Sequence, residues 1–356
     1  MHSFRIAEVE IPASIDAPNA GGFVAATHVR NAVEAETYGT DELGFTPAEL
    51  LPGWLDQKHK PIRMFVAHAE GSVVARGTLE TTPEVEGGTA WVSVDVLPEF
   101  RRRGVGTALL HVVEAEARAA AVTRLIAYVP SAEQPGPRVA SPTGFGSVPR
   151  DNDEVRFLLE HGYSLEQVVR GSRLPLPVDD GLATRLAEAV DRSGGDYRVH
   201  SWIDHTPPEW LDDVAVLLTR MSLDEPQGDL GAPEDAWTAE RLTGEEERQA
   251  ASPRSNLAAA AEHVPSRTIV GYSDLGVPAQ LARPAGQRDT IVLPEHRGHR
   301  LGMLLKLANI AHLQRERAGH PAITTFNAEE NRHMLAVNEA VGFTPIGYEG
   351  AWKKQL

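Results

Sequence analysis

The 356 residues carry 50 acidic and 34 basic side chains, a formal charge of −16, with 42% hydrophobic and 24% charged residues and no cysteine. The length suits two cores of ordinary size, and the composition is that of a globular chain with no run of about 18 apolar residues to cross a bilayer. The negative field argues against nucleic acid and favours cations, while the missing cysteine excludes disulfides, thiolate metal sites and a cysteine nucleophile.

The first residues, MHSFRIAEVEIPAS, alternate and carry Arg5, Glu8 and Glu10, unlike a secretory leader, so a cytoplasmic protein is expected. A strand is predicted over 4–9, helices over 24–36 and 47–57, strands over 64–68 and 73–80, and a turn at Glu86-Gly87-Gly88. Residues 90–97, AWVSVDVL, form a β-rich run ending at Pro98. A basic, glycine-containing loop then leads into a helix whose Val105, Leu109, Val112, Val113 and Ala117 share one stripe. A strand at 125–129 precedes the Pro-, Gly- and Ser-rich loop 131–150, a short helix closed by Gly162, and the strand-like LEQVVRGSRLPL.

After a helical stretch at 182–192 and a strand at 197–203, the second half repeats the plan. A helix at 208–221, a polar segment over 222–262 and strand-like runs at 268–272 and 279–281 lead to a strand, Pro294 and a second basic loop. The helix that follows puts Leu301, Leu304, Leu305, Ala308 and His312 on one face, and a last strand, loop and helix end at Gly342-Phe343. This is an internal repeat of about 190 residues. It implies a first domain over 1–178, a linker over 179–196 and a second domain over 197–356.

The two loops, VLPEFRRRGVG and VLPEHRGHRLG, each join a strand to an amphipathic helix. A helix start leaves backbone N–H groups unpaired at the positive end of its dipole, and glycine lets the backbone approach a bulky anion. Arg101, Arg102 and Arg103 in one loop, and Arg297, His299 and Arg300 in the other, add positive charge around those N–H groups. Each loop is a candidate pyrophosphate cradle.

This arrangement resembles the GNAT superfamily of acetyl-CoA-dependent N-acetyltransferases, whose pyrophosphate loop follows Arg/Gln-x-x-Gly-x-Gly/Ala. Arg101, Gly104 and Gly106 satisfy that pattern; in the second half Arg297 and Gly302 match, and Arg300 stands where the first glycine belongs. The resemblance implies an α/β (α+β) chain of two tandem GNAT-like domains, each a twisted mixed, mostly antiparallel sheet flanked by helices. By the same resemblance, acetyl-CoA lies along Val94, Val96, Arg101, Arg102, Arg103, Gly104, Val105, Gly106 and Thr107 in the first half. In the second it lies along Val292, Arg297, Gly298, His299, Arg300, Leu301 and Gly302, with Asn327 and Asn331 on the pantetheine arm. Asn338 takes the place of the tyrosine that protonates the departing thiolate, and Leu158 stands at that place in the first half.

Asp95, a carboxylate flanked by valines, is the candidate general base, with Asp289, Glu295 and His296 as second-half alternatives and an ordinary hydrogen-bonded strand residue as the plain reading. His296, His299, His312 and His333 show no metal-ligand spacing, so no metal is expected, and Trp202, Trp210 and Trp237 are assigned no role, a large aromatic being more often a core or domain-interface anchor than the lining of an acceptor pocket. The implied reaction is direct attack of an amine, small or peptide-borne, on the acetyl thioester in a ternary complex. The alternative is a non-catalytic acyl-CoA-binding or scaffold protein, and a form with one active half lies between them. No nucleic-acid or membrane partner is expected, and the sequence leaves the oligomeric state open.

Overall fold

The computed structural model describes residues 4–82, 88–178 and 181–356. Glu86 and Gly87 of the predicted turn, and Asp179 and Asp180 at the start of the predicted linker, lie outside the described residues. The chain divides into two compact units, Met1–Val169 with Gln227–Ala232 and Gly347–Leu356, and Arg170–Pro226 with Pro233–Ile346. The sequence reading set the first boundary at 178 and placed everything after 197 in the second domain. Strand pairing assigns the last residues otherwise.

The first unit runs β1 (Arg5–Val9), α1 (Gly21–Tyr38), α2 (Pro47–Leu55), β2 (Ile62–Ala69), β3 (Ser72–Thr81), β4 (Thr89–Val96), α3 (Val105–Ala119) and β5 (Arg124–Ser131). A small hairpin, β6 (Arg138–Ala140) and β7 (Ser147–Pro149), then α4 (Asp153–Glu160) and β8 (Ser164–Pro175) follow, with β8 counted here as far as Val169. The second unit holds α5 (Leu182–Ser193), β9 (Tyr197–Ile203), α6 (Leu211–Asp224), α7 (Ala239–Ala250), β10 (Arg254–His263), β11 (Thr268–Pro278), β12 (Ala285–Val292), α8 (Leu301–Glu316), β13 (Ala322–Ala328) and α9 (Arg332–Val341). The final strand, β14 (Thr344–Gln355), lies antiparallel on β5, with Tyr348 opposite Ser131 and Gln355 opposite Arg124. That pairing draws Gly347–Leu356 into the first unit.

In the first unit β1, β2, β3 and β4 are successive antiparallel neighbours, and β4 meets β5 in parallel. In the second, β9, β10, β11 and β12 are antiparallel neighbours, and β12 meets β13 in parallel. Each parallel contact is a strand–helix–strand crossover, through α3 in one unit and α8 in the other. The stripe read on α3 is buried: Val105, Leu109, Val113 and Ala117 pack with Leu79, Val92 and Leu125 of the sheet. Complete burial of a leucine such as Leu109 stabilises by roughly 1.5–3 kcal/mol. At α2 the sequence supplies its own start signal. Thr46 Oγ1 accepts from Glu49 N at 3.3 Å, Glu49 Oε2 accepts from Thr46 N at 2.7 Å, and Pro47 opens the first turn.

Three expectations change. The 131–150 loop contains the β6–β7 hairpin. Residues 279–281 are not a strand, because β11 ends at Pro278. The polar segment 222–262 contains α7 and most of β10. Alanine is a weak strand former, yet Ala258–Ala261 are fully buried as β10 pairs with both β9 and β11. Tertiary pairing here overrides intrinsic preference.

Candidate functional site

The parallel strands part company almost as soon as they meet. β4 and β5 pair only at Thr89–Trp91 against Arg124–Ile126, so Val92–Val96 have β3 on one edge and no strand on the other. The same occurs in the second unit, where Ala285 and Gly286 pair with Ile323 and Thr324 and the strands then diverge. Each opening is closed at its far end by a loop and helix start. Val94 and Val96 stand on the open part of β4, and Val292 ends β12.

The two loops share a backbone although their glycines sit differently. Gly104, immediately before α3, has φ 81° and ψ 0°, and Arg300, immediately before α8, has φ 56° and ψ 22°. Two residues earlier the identities are exchanged, with Arg102 at φ 58° and Gly298 at φ 88°. Left-handed backbone costs a non-glycine residue about 1–2 kcal/mol, so both loops hold the shape with one glycine and one arginine each. Neither Gly104 nor Arg300 caps its helix with a side chain. Ala108 N donates to Gly104 O at 3.1 Å and Leu304 N to Arg300 O at 3.1 Å. The N–H groups of Val105, Gly106 and Thr107, and of Leu301, Gly302 and Met303, therefore precede the first intrahelical bond and point out of the helix start. A Cβ on Gly106 would meet Val96 Cγ2 at 3.4 Å, an ordinary contact, and one on Gly302 would meet nothing within 4 Å. The protein's own packing does not demand glycine at either place.

Arg101 and Arg297 shape these loops. Arg101 Nε donates to Val96 O at 3.0 Å and its guanidinium pairs with Glu36 of α1, one contact at 3.1 Å. Arg297 Nε donates to Val292 O at 3.1 Å, and Nη2 meets Asp224 of α6 at 2.6 Å. Arg102 and Arg103 are exposed, Arg103 lying over the Phe100 ring at 5.1 Å with Glu70 3.8 Å away. In the second loop His299 packs on Tyr197 with ring centroids 5.1 Å apart. His296 accepts from or donates to Tyr197 Oη at 3.0 Å and lies 4.7 Å from the His263 ring. Among the described residues no group of three His, Cys, Asp or Glu could hold a metal ion.

Asp95 sits in a cluster that sequence reasoning did not assemble. Arg76 Nε, on β3, donates to Asp95 Oδ2 at 2.6 Å. On α1, Arg30, Glu34 and Tyr38 recur every fourth residue and share a face. Arg30 Nη1 and Glu34 Oε2 form an ion pair, and that oxygen is closed off from solvent. Tyr38 Oη donates to Glu349 Oε1 of β14 at 2.7 Å. The tyrosine ring lies so close to Gly347 that a Cβ there would stand 2.7 Å from it, which requires glycine. Burial pushes the Glu34 carboxyl up to about 7, with Arg30 and Arg76 opposing and Glu349 and Asp95 assisting. Burial also raises Glu349, against the Tyr38 hydrogen bond that lowers it, and raises the Tyr38 phenol. Glu34 and Glu349 carried no sequence signal beyond the four-residue spacing of α1, because the partners come from β3, β4 and β14.

The second unit lacks this face. Tyr272 opposes Ile291 where Arg76 opposes Asp95, each pair one residue from the strand positions that anchor the loop. Taking the arginine-binding acids Glu36 and Asp224 as equivalent, Leu218 and Ser222 stand for Arg30 and Glu34. Tyr272, Ile291, Leu218 and Met221 belong to one apolar core with Trp202, Trp210 and Trp237.

Asn327 and Asn338 do come together, Asn338 Nδ2 donating to Asn327 Oδ1 at 2.7 Å, with Asn338 buried. Asn331 caps α9, its Oδ1 accepting from Met334 N at 3.2 Å. On α8, Lys306 is fully buried with Nζ 5.9 Å from the centroid of the Phe343 ring, and burial pulls its ammonium down to about 7.

Residues 29–145 match the sequence pattern of the Acetyltransferase (GNAT) family. No curated protein matches the chain. Among solved structures, a tandem GNAT protein from the clavulanic acid biosynthesis pathway is similar over 99% of this chain and 98% of its own. It is 24% identical, with a TM-score of 0.73. A GCN5-related N-acetyltransferase from Sphaerobacter thermophilus covers 99% of this chain and 95% of its own at 16% identity and a TM-score of 0.61. The glucosamine N-acetyltransferase region of a fungal multi-domain enzyme matches 99% of this chain with 38% of its own, at 13% identity and a TM-score of 0.61.

Proposed function

We propose, from the premise that this chain has the tandem GNAT fold and that its residues 29–145 carry the acetyltransferase (GNAT) family pattern, that it transfers an acetyl group from acetyl-CoA to a primary amine in its first unit. The observation that carries the reading is the uncapped helix start of α3 at the end of an opened parallel strand pair. The N–H groups of Val105, Gly106 and Thr107 take the pyrophosphate, with Arg102 and Arg103 beside them. Arg101 acts by holding the loop, since its side chain is committed to Val96 O and Glu36. The free edge of β4 at Val94 and Val96 runs beside the pantetheine arm and the thioester. The amine attacks the thioester carbonyl directly and CoA thiolate leaves.

The second unit keeps the cofactor-holding loop but has an apolar core where the first has ionisable groups, and Asn338 bonded to Asn327 offers no acidic phenol. It therefore binds acyl-CoA without turnover or serves structurally. The protein acts in the cytosol on a small-molecule or peptide amine, without metal, nucleic acid or membrane. No helix among the described residues is long and apolar enough to cross a membrane.

Calorimetric titration with acetyl-CoA tests this. Arg103→Glu with Gly104→Val is expected to abolish both binding in the first unit and CoA release with amines, and Arg297→Glu with Gly302→Val to leave CoA release intact. Absence of any binding at about millimolar acetyl-CoA, an affinity of roughly −4 kcal/mol, refutes the transferase reading.

A further inference from the structure

Tyr128 is exposed on a sheet face whose neighbouring residues are not. It stands on β5 with 43% of its surface open, whereas Ile126, two residues earlier on the same face, and Ala351, its partner on β14, are completely buried. The covering of this face has two parts. Ile126 and Ala351 lie under Leu230, a buried residue of Gln227–Ala232, the stretch of the α6–α7 connection that belongs to the first unit. On the other side of Tyr128, Glu349 opposite Pro130 bonds to Tyr38 of α1. Tyr128 surfaces between that strap and the helix.

The strap is fixed to the sheet by its backbone. Lys353 Nζ of β14 donates to Asp229 O at 2.5 Å and to Asp229 Oδ2 at 2.6 Å, and Arg124 Nη1 of β5 donates to Gly231 O. A Cβ on Gly228, whose φ is 55°, would stand 2.8 Å from Glu166 O, so the turn requires glycine. The same face continues across the opening between β4 and β5. Trp91 is level with Ile126 and packs on the same cluster, so strand alternation puts Ser93 and Asp95 on the face of Tyr128, beyond the point where the strands part.

We propose, resting on the acyl-transfer reading above, that Tyr128 and the strap Gln227–Ala232 form the wall on which the acceptor's carbon body lies, and that this body is flat and apolar. From Leu230 through Tyr128 to Glu349 the surface passes from aliphatic to aromatic to acidic. Such a gradient orients its ligand. The amino group is held at the end where Ser93, Asp95 and Glu349 offer oxygen acceptors, and a ring packs on Tyr128 with centroids about 4.5–7 Å apart. A body covered in hydroxyls would lose water against Tyr128 and Leu230 and gain few hydrogen bonds in return. The second unit has no such wall. Counting from the parallel pairs Ala90–Leu125 and Gly286–Thr324, the place of Tyr128 falls to Asn327, whose side chain is bonded to Asn338.

The test uses the full-length protein. Acetyl-CoA binding is measured by calorimetry, and release of CoA thiol is followed with benzylamine, 2-naphthylmethylamine, glucosamine and 1,4-diaminobutane. The wild type is expected to use the two ring-bearing amines with kcat/KM about tenfold or more above the others. Tyr128→Ala, a change at an exposed position, is expected to raise KM for benzylamine about tenfold with little change in kcat, and to bind acetyl-CoA as the wild type does. Tyr128→Phe keeps the ring and should keep the wild-type KM. Leu230→Ala enlarges the apolar end and is expected to shift the preference about tenfold toward the naphthyl amine. A Tyr128→Ala protein with wild-type KM for benzylamine overturns the proposal, as does a wild type that prefers glucosamine or diaminobutane. So does a wild type that binds acetyl-CoA yet releases no CoA with either ring-bearing amine. Failure to bind acetyl-CoA at all overturns the transferase reading instead, and this inference with it.

Discussion

Glu34→Gln tests the electrostatics of α1 without any substrate. The Glu34 carboxyl moves from an ordinary 4.5 to about 7 on folding, chiefly because burial disfavours its charge. The folded state therefore holds this proton more tightly than the unfolded state. The contribution of Glu34 to stability is full below about pH 4.5 and is lost as pH rises through 7. One pKa unit corresponds to about 1.4 kcal/mol, and integrating the two titrations between about pH 5 and 8 gives roughly 2.5 kcal/mol of stability lost by the wild type. Glutamine keeps the shape and is neutral throughout, so the variant does not lose it. Urea unfolding of both proteins at the two pH values is the assay, with midpoints converted through the slope of each transition. The variant is expected to gain about 2–3 kcal/mol on the wild type between pH 5 and pH 8. Parallel pH dependences would refute the claim that burial outweighs the Arg30 ion pair.

Three other substitutions probe the same balance elsewhere. Lys306→Met removes a buried ammonium whose pKa falls from 10.5 to about 7. The folded state disfavours the charged form, so the gain in stability is greatest below pH 7, about 5 kcal/mol at pH 6, and disappears by about pH 10.5, as urea midpoints across that range will show. Arg170→Ala releases Glu329, held by Arg170 at 2.6 and 2.9 Å with little exposure on either side, together with the 2.9 Å contact to Glu339. Leaving that buried carboxylate with only the exposed Arg332, 3.3 Å from its Oε2, should cost about 3 kcal/mol in chemical denaturation. Tyr38→Phe keeps the ring against Gly347 but removes the hydrogen bond to Glu349. The loss should be about 1.5–3 kcal/mol where the acceptor is charged and smaller at lower pH, because burial raises Glu349 toward its neutral form.

What the sequence made legible is local. A strand ending in Val-Leu-Pro-Glu, a basic loop and a helix are set by residues within about one turn of each other, and both strand–loop–helix units form, although α8 is buried on nearly every side rather than on the one face read for it. The acid–base face has a longer reach. Asp95 meets Arg76 because of β3–β4 register, and Tyr38 meets Glu349 across 311 positions of sequence. No spacing rule reports such contacts. The alanines of β10 were missed for a related reason, since their strand exists only through the neighbours on both sides. The grouping of Gly347–Leu356 with the first unit depends likewise on β14 finding β5.

The two loops and the two helix faces have diverged in different ways, and the difference bears on function. In the loops, glycine stands at the later left-handed position in the first unit, Gly104 against Arg300, and at the earlier one in the second, Gly298 against Arg102, while the left-handed backbone stays at both places. The pinning arginine, its strand carbonyl and its helix acid are also present twice, as Arg101–Val96–Glu36 and Arg297–Val292–Asp224. Geometry is kept there although residues change. On the facing helix and strands the reverse holds: the backbone registers of β3–β4 and β11–β12 agree, but Arg76 and Asp95 give way to Tyr272 and Ile291. Shape alone suffices to hold a pyrophosphate on N–H groups, whereas moving a proton needs particular side chains. The loop is thus duplicated in form, and the ionisable face is not.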